Sequence, residues 1–218
     1  PYGKVVLRGT GDDTYEPTGE LAGDLLLVLD TGGDDTYRIA AGANTSRNNP
    51  ASILIDLGGN DTYGYVETAP PPAPGLLPSD SDGRQKFRDW MQPASVSTQN
   101  RQGAGRLGYG VLLDLGAGDD VYRSLRMSQG YANFGVGVLW DDGGDDTYTA
   151  EMGVQGAALV GIAILHDGGG NDVFRAFQSA QGFGWMSSFG LLFDAGGNDG
   201  YECVVDEVLI TDSPQTPK

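Results

Sequence analysis

Aspartate recurs along this chain at fixed intervals and in one setting. Leu139-Trp-Asp-Asp-Gly-Gly-Asp-Asp-Thr-Tyr148 is a short apolar run, a glycine turn loaded with carboxylates, then an aromatic residue. Versions of it end at Tyr37, Tyr63, Tyr122, Phe174 and Tyr201, and a shorter copy, Gly9–Tyr15, opens the chain. The last Asp of each copy is Asp13, Asp35, Asp61, Asp120, Asp146, Asp172 or Asp199, in steps of 22, 26, 59, 26, 26 and 27. A further Asp opens six copies: Asp30, Asp56, Asp114, Asp141, Asp167 and Asp194. The residue before the last Asp is Asp or Asn in all seven. Carboxylates gathered with glycine turn carbonyls are the ligand chemistry of a hard divalent cation. Calcium accepts such an irregular oxygen shell more readily than magnesium. Glycine allows the backbone angles that aim carbonyls at one point.

These residues must be positioned by stacking. A period near 26 residues predicts a solenoid rather than a globule around one central core. In a parallel stack each repeated position becomes a ladder with ~4.8 Å between rungs. Two carboxylates at that spacing repel by roughly 1 kcal/mol in water and by several in a half-buried turn. No matching Lys or Arg column exists, so a cation between the coils is the expected counter-charge. The thirteen first and last Asp residues are the expected ligands. The alternative is that Asp and Gly are simply good turn formers, with Asp capping its own backbone. That accounts for one Asp per turn more easily than for three aligned columns.

Gly9-Thr-Gly-Asp-Asp-Thr-Tyr15 and Gly116-Ala-Gly-Asp-Asp-Val-Tyr122 resemble the later part of the G-G-x-G-x-D-x-U calcium repeat of RTX proteins. The resemblance implies a secreted β-roll with calcium bound between its turns and the last Asp of each copy as ligand. Most copies here read G-G-x-D, one residue shorter, and the motif comes once per 26 residues instead of once per nine. Metal would then line one edge of a wider coil.

Composition sets the outer bounds. The 218 residues include 36 Gly, 30 acids and 13 Lys or Arg, for a net charge of −17. That balance argues against nucleic acid and anionic membranes as partners, which need a basic footprint. The seven motif copies hold 18 of the 30 acids, all of them Asp, a clustering that solubility alone does not require. Cys203 is the one cysteine, so no internal disulfide or thiolate zinc site can form. No apolar run is long enough to span a membrane. The chain starts at Pro1 without a signal-like segment and reads as a trimmed piece. With calcium as the expected cofactor, its expected setting is extracellular, cell-surface or periplasmic.

The fold expected is all-β, a right-handed parallel β-helix of ~26-residue coils forming one domain over 1–211, with a flexible tail at 212–218. Leu25–Leu29 and Ser52–Ile55 read as strands. A second column, Gln102, Gln129, Gln155 and Gln181, each followed by Gly, predicts an amide ladder and a third short strand per coil. The step of 59 is one period plus 33 and predicts an insertion over about 66–100, with a degenerate extra coil as the alternative. Its proline-rich start, Ala69–Pro74, reads as extended chain. Asp82–Gln92 reads as a short helix carrying Phe87, Trp90 and Met91 on one side. The runs before the motif are apolar on both faces, so the outer wall predicts a cover: the insertion, a protein partner or another copy of the chain. The function expected is a structural or interaction module. The alternatives are a subunit of a larger assembly docked through that wall, or a carbohydrate-active enzyme using Asp80, Asp82, Arg84, Lys86, Arg88 and Trp90 on a polysaccharide. His166 replaces an aliphatic or aromatic residue of its column and reads as structural.

Overall fold

The structure, a computed structural model, describes residues 3–86, 89 and 93–203. It is a parallel β-solenoid of about six turns. One wall, sheet A, stacks β1 (Lys4–Leu7), β3 (Leu25–Leu29), β5 (Ala51–Asp56), β10 (Tyr109–Asp114), β12 (Ala132–Asp141), β14 (Ala158–Asp167) and β16 (Ser188–Asp194), with β9 (Gly105–Arg106) beside β12. The facing wall, sheet B, stacks β2 (Thr14–Tyr15), β4 (Thr36–Tyr37), β6 (Thr62–Tyr63), β11 (Val121–Arg123), β13 (Thr147–Thr149), β15 (Val173–Ala176) and β17 (Gly200–Cys203). Each Asp-Gly motif is the turn from a strand of sheet A into a strand of sheet B.

Strand alternation builds the core. Val28, Leu54, Leu112, Leu139 and Leu165 point inward from sheet A and meet Tyr37, Tyr63, Tyr122, Tyr148 and Phe174 from sheet B. The aromatic rings stack in one column, with centroids 4.4 to 5.0 Å apart from Tyr15 to Tyr201. That is the rung spacing itself.

The insertion leaves the ladders intact. β5 pairs directly with β10, Leu54 opposite Leu112, and β6 with β11, Tyr63 opposite Tyr122. Residues 64–100 therefore loop out of one coil and are not an extra rung. Asp82 does not start a helix. Residues 81–83 turn, and β7 (Arg84–Gln85) runs antiparallel to β8 (Ala94–Ser95). A carboxylate at Asp82 caps locally, but its acceptor oxygen is taken by the backbone N–H of Thr98 at 2.6 Å, which closes the loop on itself. Phe87, Arg88, Trp90 and Met91 lie outside the described residues, as do 204–218.

The Gln column differs from expectation. Gln102, Gln129, Gln155 and Gln181 all have left-handed backbone, φ 50 to 55°, and each is followed by a Gly at φ 73 to 78°. Their side chains do not bond to one another. Nε2 of Gln102 donates to the carbonyls of Tyr63 at 2.9 Å and Arg123 at 3.0 Å, and Gln155 does the same to Tyr148 and Arg175. Backbone carbonyls at the end of a strand outcompete a neighbouring amide because they already point along the stack. Two successive left-handed residues make a sharp corner, so the third side of each coil carries isolated bridges such as Arg126–Met152–Gln178 instead of a strand.

Sheet A presents an apolar outer face. Leu27, Ile53, Val111, Val138, Ile164 and Leu191 form its middle column by register. Leu29, Ile55, Leu113, Trp140, His166 and Phe193 form the column nearest the Asp turns. Ala51, Tyr109, Val136, Ile162 and Phe189 form the third. Among the described residues, the insertion's Tyr65 and Leu77 bury against Leu125, beyond the end of sheet B.

The turns pack backbone on backbone. A Cβ at Gly144, which has φ +149°, would lie 1.7 Å from the Gly118 carbonyl oxygen of the preceding coil. Gly59 meets Gly33 in the same way. Gly144→Ala is expected to destabilise the protein by ~2–3 kcal/mol, through strain and lost turn packing, and to lower the melting temperature by several degrees. A thermal melt of the variant checks this.

Candidate metal centre

Alternation also decides which carboxylates are inside. The first Asp of each motif lies two residues beyond an inward aliphatic residue, as Asp141 follows Leu139. The last Asp lies two residues before an inward aromatic, as Asp146 precedes Tyr148. Both columns therefore face the interior, and Asp30, Asp35, Asp56, Asp61, Asp114, Asp120, Asp141, Asp146, Asp167 and Asp172 are buried. The intervening residue faces out. Asp12, Asp34, Asn60, Asp119, Asp145, Asn171 and Asn198 are exposed.

The three columns have different partners. In the exposed column each side chain accepts the N–H of its counterpart one coil on, for example Asp145 N–H to Asp119 Oδ1 at 2.9 Å. Asn or Asp serves equally as acceptor, which is why both occur there. In the first-Asp column Oδ1 accepts the N–H two residues on, as from Gly143 to Asp141 at 2.7 Å. Oδ2 accepts a phenol from the preceding coil: Tyr63 to Asp114 at 2.7 Å, Tyr122 to Asp141 at 2.6 Å, Tyr148 to Asp167 at 2.8 Å. Tyr15 to Asp30 and Tyr37 to Asp56 complete the set. Phe174 has no hydroxyl, and Asp194 takes its bond from Tyr201 of its own coil at 2.6 Å.

The last-Asp column is left half satisfied. Oδ1 accepts the backbone N–H of the last Asp in the preceding coil, as Asp120 N–H to Asp146 at 2.7 Å and Asp146 N–H to Asp172 at 2.7 Å. Oδ2 of Asp61, Asp120, Asp146 and Asp172 is buried without a hydrogen-bond partner. Carboxylate oxygens converge in groups of three within 4.8 Å: Asp13, Asp30 and Asp35; Asp35, Asp56 and Asp61; Asp61, Asp114 and Asp120; Asp120, Asp141 and Asp146; Asp146, Asp167 and Asp172. Each group takes the last Asp of two adjacent coils and the first Asp between them, so neighbouring groups share a carboxylate. Asp194 and Asp199 occupy the same positions in the last described coil, half-buried.

Such crowding changes the acid chemistry. Burial, reinforced by neighbouring carboxylates, pushes Asp61 up to about 8, Asp120 to about 10 and Asp146 to about 9. Asp114 and Asp167 are also raised, by burial first and then by Asp56 and Asp194 respectively. At an effective dielectric of ~20, two charges 4.8 Å apart repel by about 3–4 kcal/mol. The interior thus favours either a cation or a proton in each group. Burial also raises Tyr122 and Tyr148, so these phenols keep their protons and remain donors.

The first coil is the exception. Leu7 is opposite Leu29, so Arg8 stands where later coils carry their first Asp. It pairs with Glu20 instead.

The insertion residues are engaged elsewhere. Arg84 makes a buried ion pair with Glu151, whose other oxygen accepts the Ser95 N–H at 3.3 Å. Arg101 makes a second with Asp80 at 2.6 Å, and Ser97 donates to the same carboxylate oxygen. These bonds fasten the loop to the solenoid and leave no free acid–base pair at Asp80 or Arg84. Lys86 is exposed and alone there among the described residues. Arg84→Met would leave Glu151 charged and buried without its partner. The expected cost is ~3–5 kcal/mol, read as a lower melting temperature, with earlier proteolysis in 64–100. His166 is stacked between Trp140, 3.6 Å away, and Phe193 on the outer face of sheet A. Cys203 is exposed on β17 and donates to Gln181 Oε1 at 3.4 Å.

The tyrosine hydroxyls were not foreseen as Asp partners from the sequence. The signal was present: alternation puts the first Asp, two residues beyond an inward aliphatic residue, and Tyr, two residues beyond the inward last Asp, on the same interior face. Comparison of the chain with protein-family models, curated proteins and solved structures finds no match.

Proposed function

We propose that the protein is a calcium-binding β-helix module, in which Ca2+ held between adjacent Asp-Gly turns fastens the coils together. The observation that carries this is the row of buried Oδ2 atoms on Asp61, Asp120, Asp146 and Asp172, each without a partner and each in a cluster of three carboxylates. The donor set suits the ion: all oxygen, all hard, irregular in arrangement. The charges suit it too. One divalent ion in each of the five groups named above would bring ten positive charges to their eleven carboxylates.

Calcium would stabilise the folded chain because the unfolded chain has no preformed site. The role this supports is a rigid structural or interaction element in a calcium-rich setting, secreted or surface-bound. Metal analysis after dialysis, with calorimetric titration, tests it. Several ions per chain are expected. Because Asp146 belongs to two groups and Asp141 to one, Asp146→Asn is expected to remove two ions and Asp141→Asn one. Absence of bound calcium at millimolar concentration, in a folded sample, would overturn the proposal.

A second reading is favoured by one observation: most other oxygens in these columns already have hydrogen bonds. The groups would then share protons instead of ions, forming a metal-free column of carboxylic acids. The same titration separates the two.

A further inference from the structure

The outer face of sheet A is a feature that the Asp columns do not explain. Its three columns contain no Asp, Glu, Lys or Arg in a chain of net charge −17. Tyr109 is 60% exposed, Phe189 55%, Phe193 48%, Ile162 45% and Trp140 37%. A Phe, Tyr or Trp side chain offers ~150–250 Å². With the half-buried aliphatic columns between them, these residues expose roughly 700–800 Å². That matches the ~800 Å² which one side of a stable protein interface buries.

We infer that this face joins two copies of the chain, sheet against sheet, about a two-fold axis parallel to the solenoid axis. The occupant must be flat and uncharged, since a polar group laid on these columns would lose water without gaining a hydrogen bond. A second copy offers such a surface, already held in register by its own ladders, and sheets pack in this way ~10 Å apart. Charge selects the axis. The Asp turns run along one edge of sheet A. An axis along the solenoid reverses the strands and puts the two acidic edges on opposite sides of the dimer. An axis along the strands would put both on the same side and add their repulsion. In the favoured arrangement the middle column meets itself, with Val138 near Val138 of the second copy. The Trp140–His166–Phe193 stack meets the Tyr109–Ile162–Phe189 column.

Sedimentation velocity of the purified chain between 1 and 100 µM, in calcium buffer, tests this. A species of twice the chain mass is expected. Val138→Lys and Ile164→Lys change outward side chains only. Each is expected to weaken association at least 100-fold while the melt and circular dichroism stay those of a folded solenoid. Thr147→Lys, on the outer face of sheet B, should leave association unchanged. In a Cys203→Ser background, Val138→Cys should be cross-linked between copies by a short bismaleimide, which spans the gap between packed sheets, and Thr62→Cys should not. A chain that stays monomeric at 100 µM, whatever covers its face, overturns the inference. So does a dimer indifferent to both lysine variants.

Discussion

Adding millimolar calcium to chelated protein should raise its melting temperature by ~10 °C or more, and excess chelator should reverse the rise. An ion that binds only the folded chain adds ~2.7 kcal/mol per site at a hundredfold excess over its dissociation constant. For a chain of this length each kcal/mol moves the melt by roughly 2–4 °C. Two or three filled groups therefore suffice. The groups lie between coils, and the one formed by Asp61, Asp114 and Asp120 draws ligands from both sides of the insertion. Calcium there would hold the two parts of the solenoid together. The Asp120→Asn and Asp146→Asn variants should respond less to calcium, since each loses ligands from two adjacent groups. A melt identical in calcium and chelator would remove the proposed role.

The second large effect is a reversal in the slope of stability against pH. Without metal, six buried carboxyls have folded values above their ordinary 3.8: Asp35 about 6, Asp141 and Asp172 about 7, Asp61 about 8, Asp146 about 9 and Asp120 about 10. The cause in each is burial, with the neighbouring carboxylates adding to it. A raised value means that the folded state holds protons which the unfolded state has released. The stabilisation is complete below about 3.8 and is lost as pH rises through 6 to 10. Chelated protein should therefore melt higher at pH 5 than at pH 9, opposite to ordinary acid denaturation. With calcium bound the carboxylates are ionised, and protons compete with the metal. The loaded protein should lose its added stability as pH falls toward 5. Melts at five pH values, with calcium and with chelator, give two curves of opposite slope if metal and proton share these groups. Parallel curves would mean that calcium, if bound, is bound elsewhere.

Much of the architecture was written in local spacing. The 26-residue step fixed the stack, because a strand–turn–strand unit that cannot bury its own apolar face must repeat to do so. The Tyr column followed from the same period, as did the apolar outer wall. Helix and strand were harder to separate in Asp82–Gln92. Of its described residues, Arg84 and Gln85 form a strand, and Arg84 is held by a buried Glu151 that lies 67 residues later, a long-range ion pair that overrides local preference there.

The sequence by itself determined that thirteen aspartates stand in two aligned columns with a third polar column between them, since periodicity alone sets which residues become neighbours. Only the tertiary structure decided what each column does. The first column is spent on tyrosine hydroxyls and turn amides, and the outward column on a ladder of exposed amides. The last column alone keeps buried oxygens without partners. The physical reason is that a hydrogen bond depends on where a side chain points relative to the adjacent coil, and coil-to-coil geometry exists only once the strands are stacked.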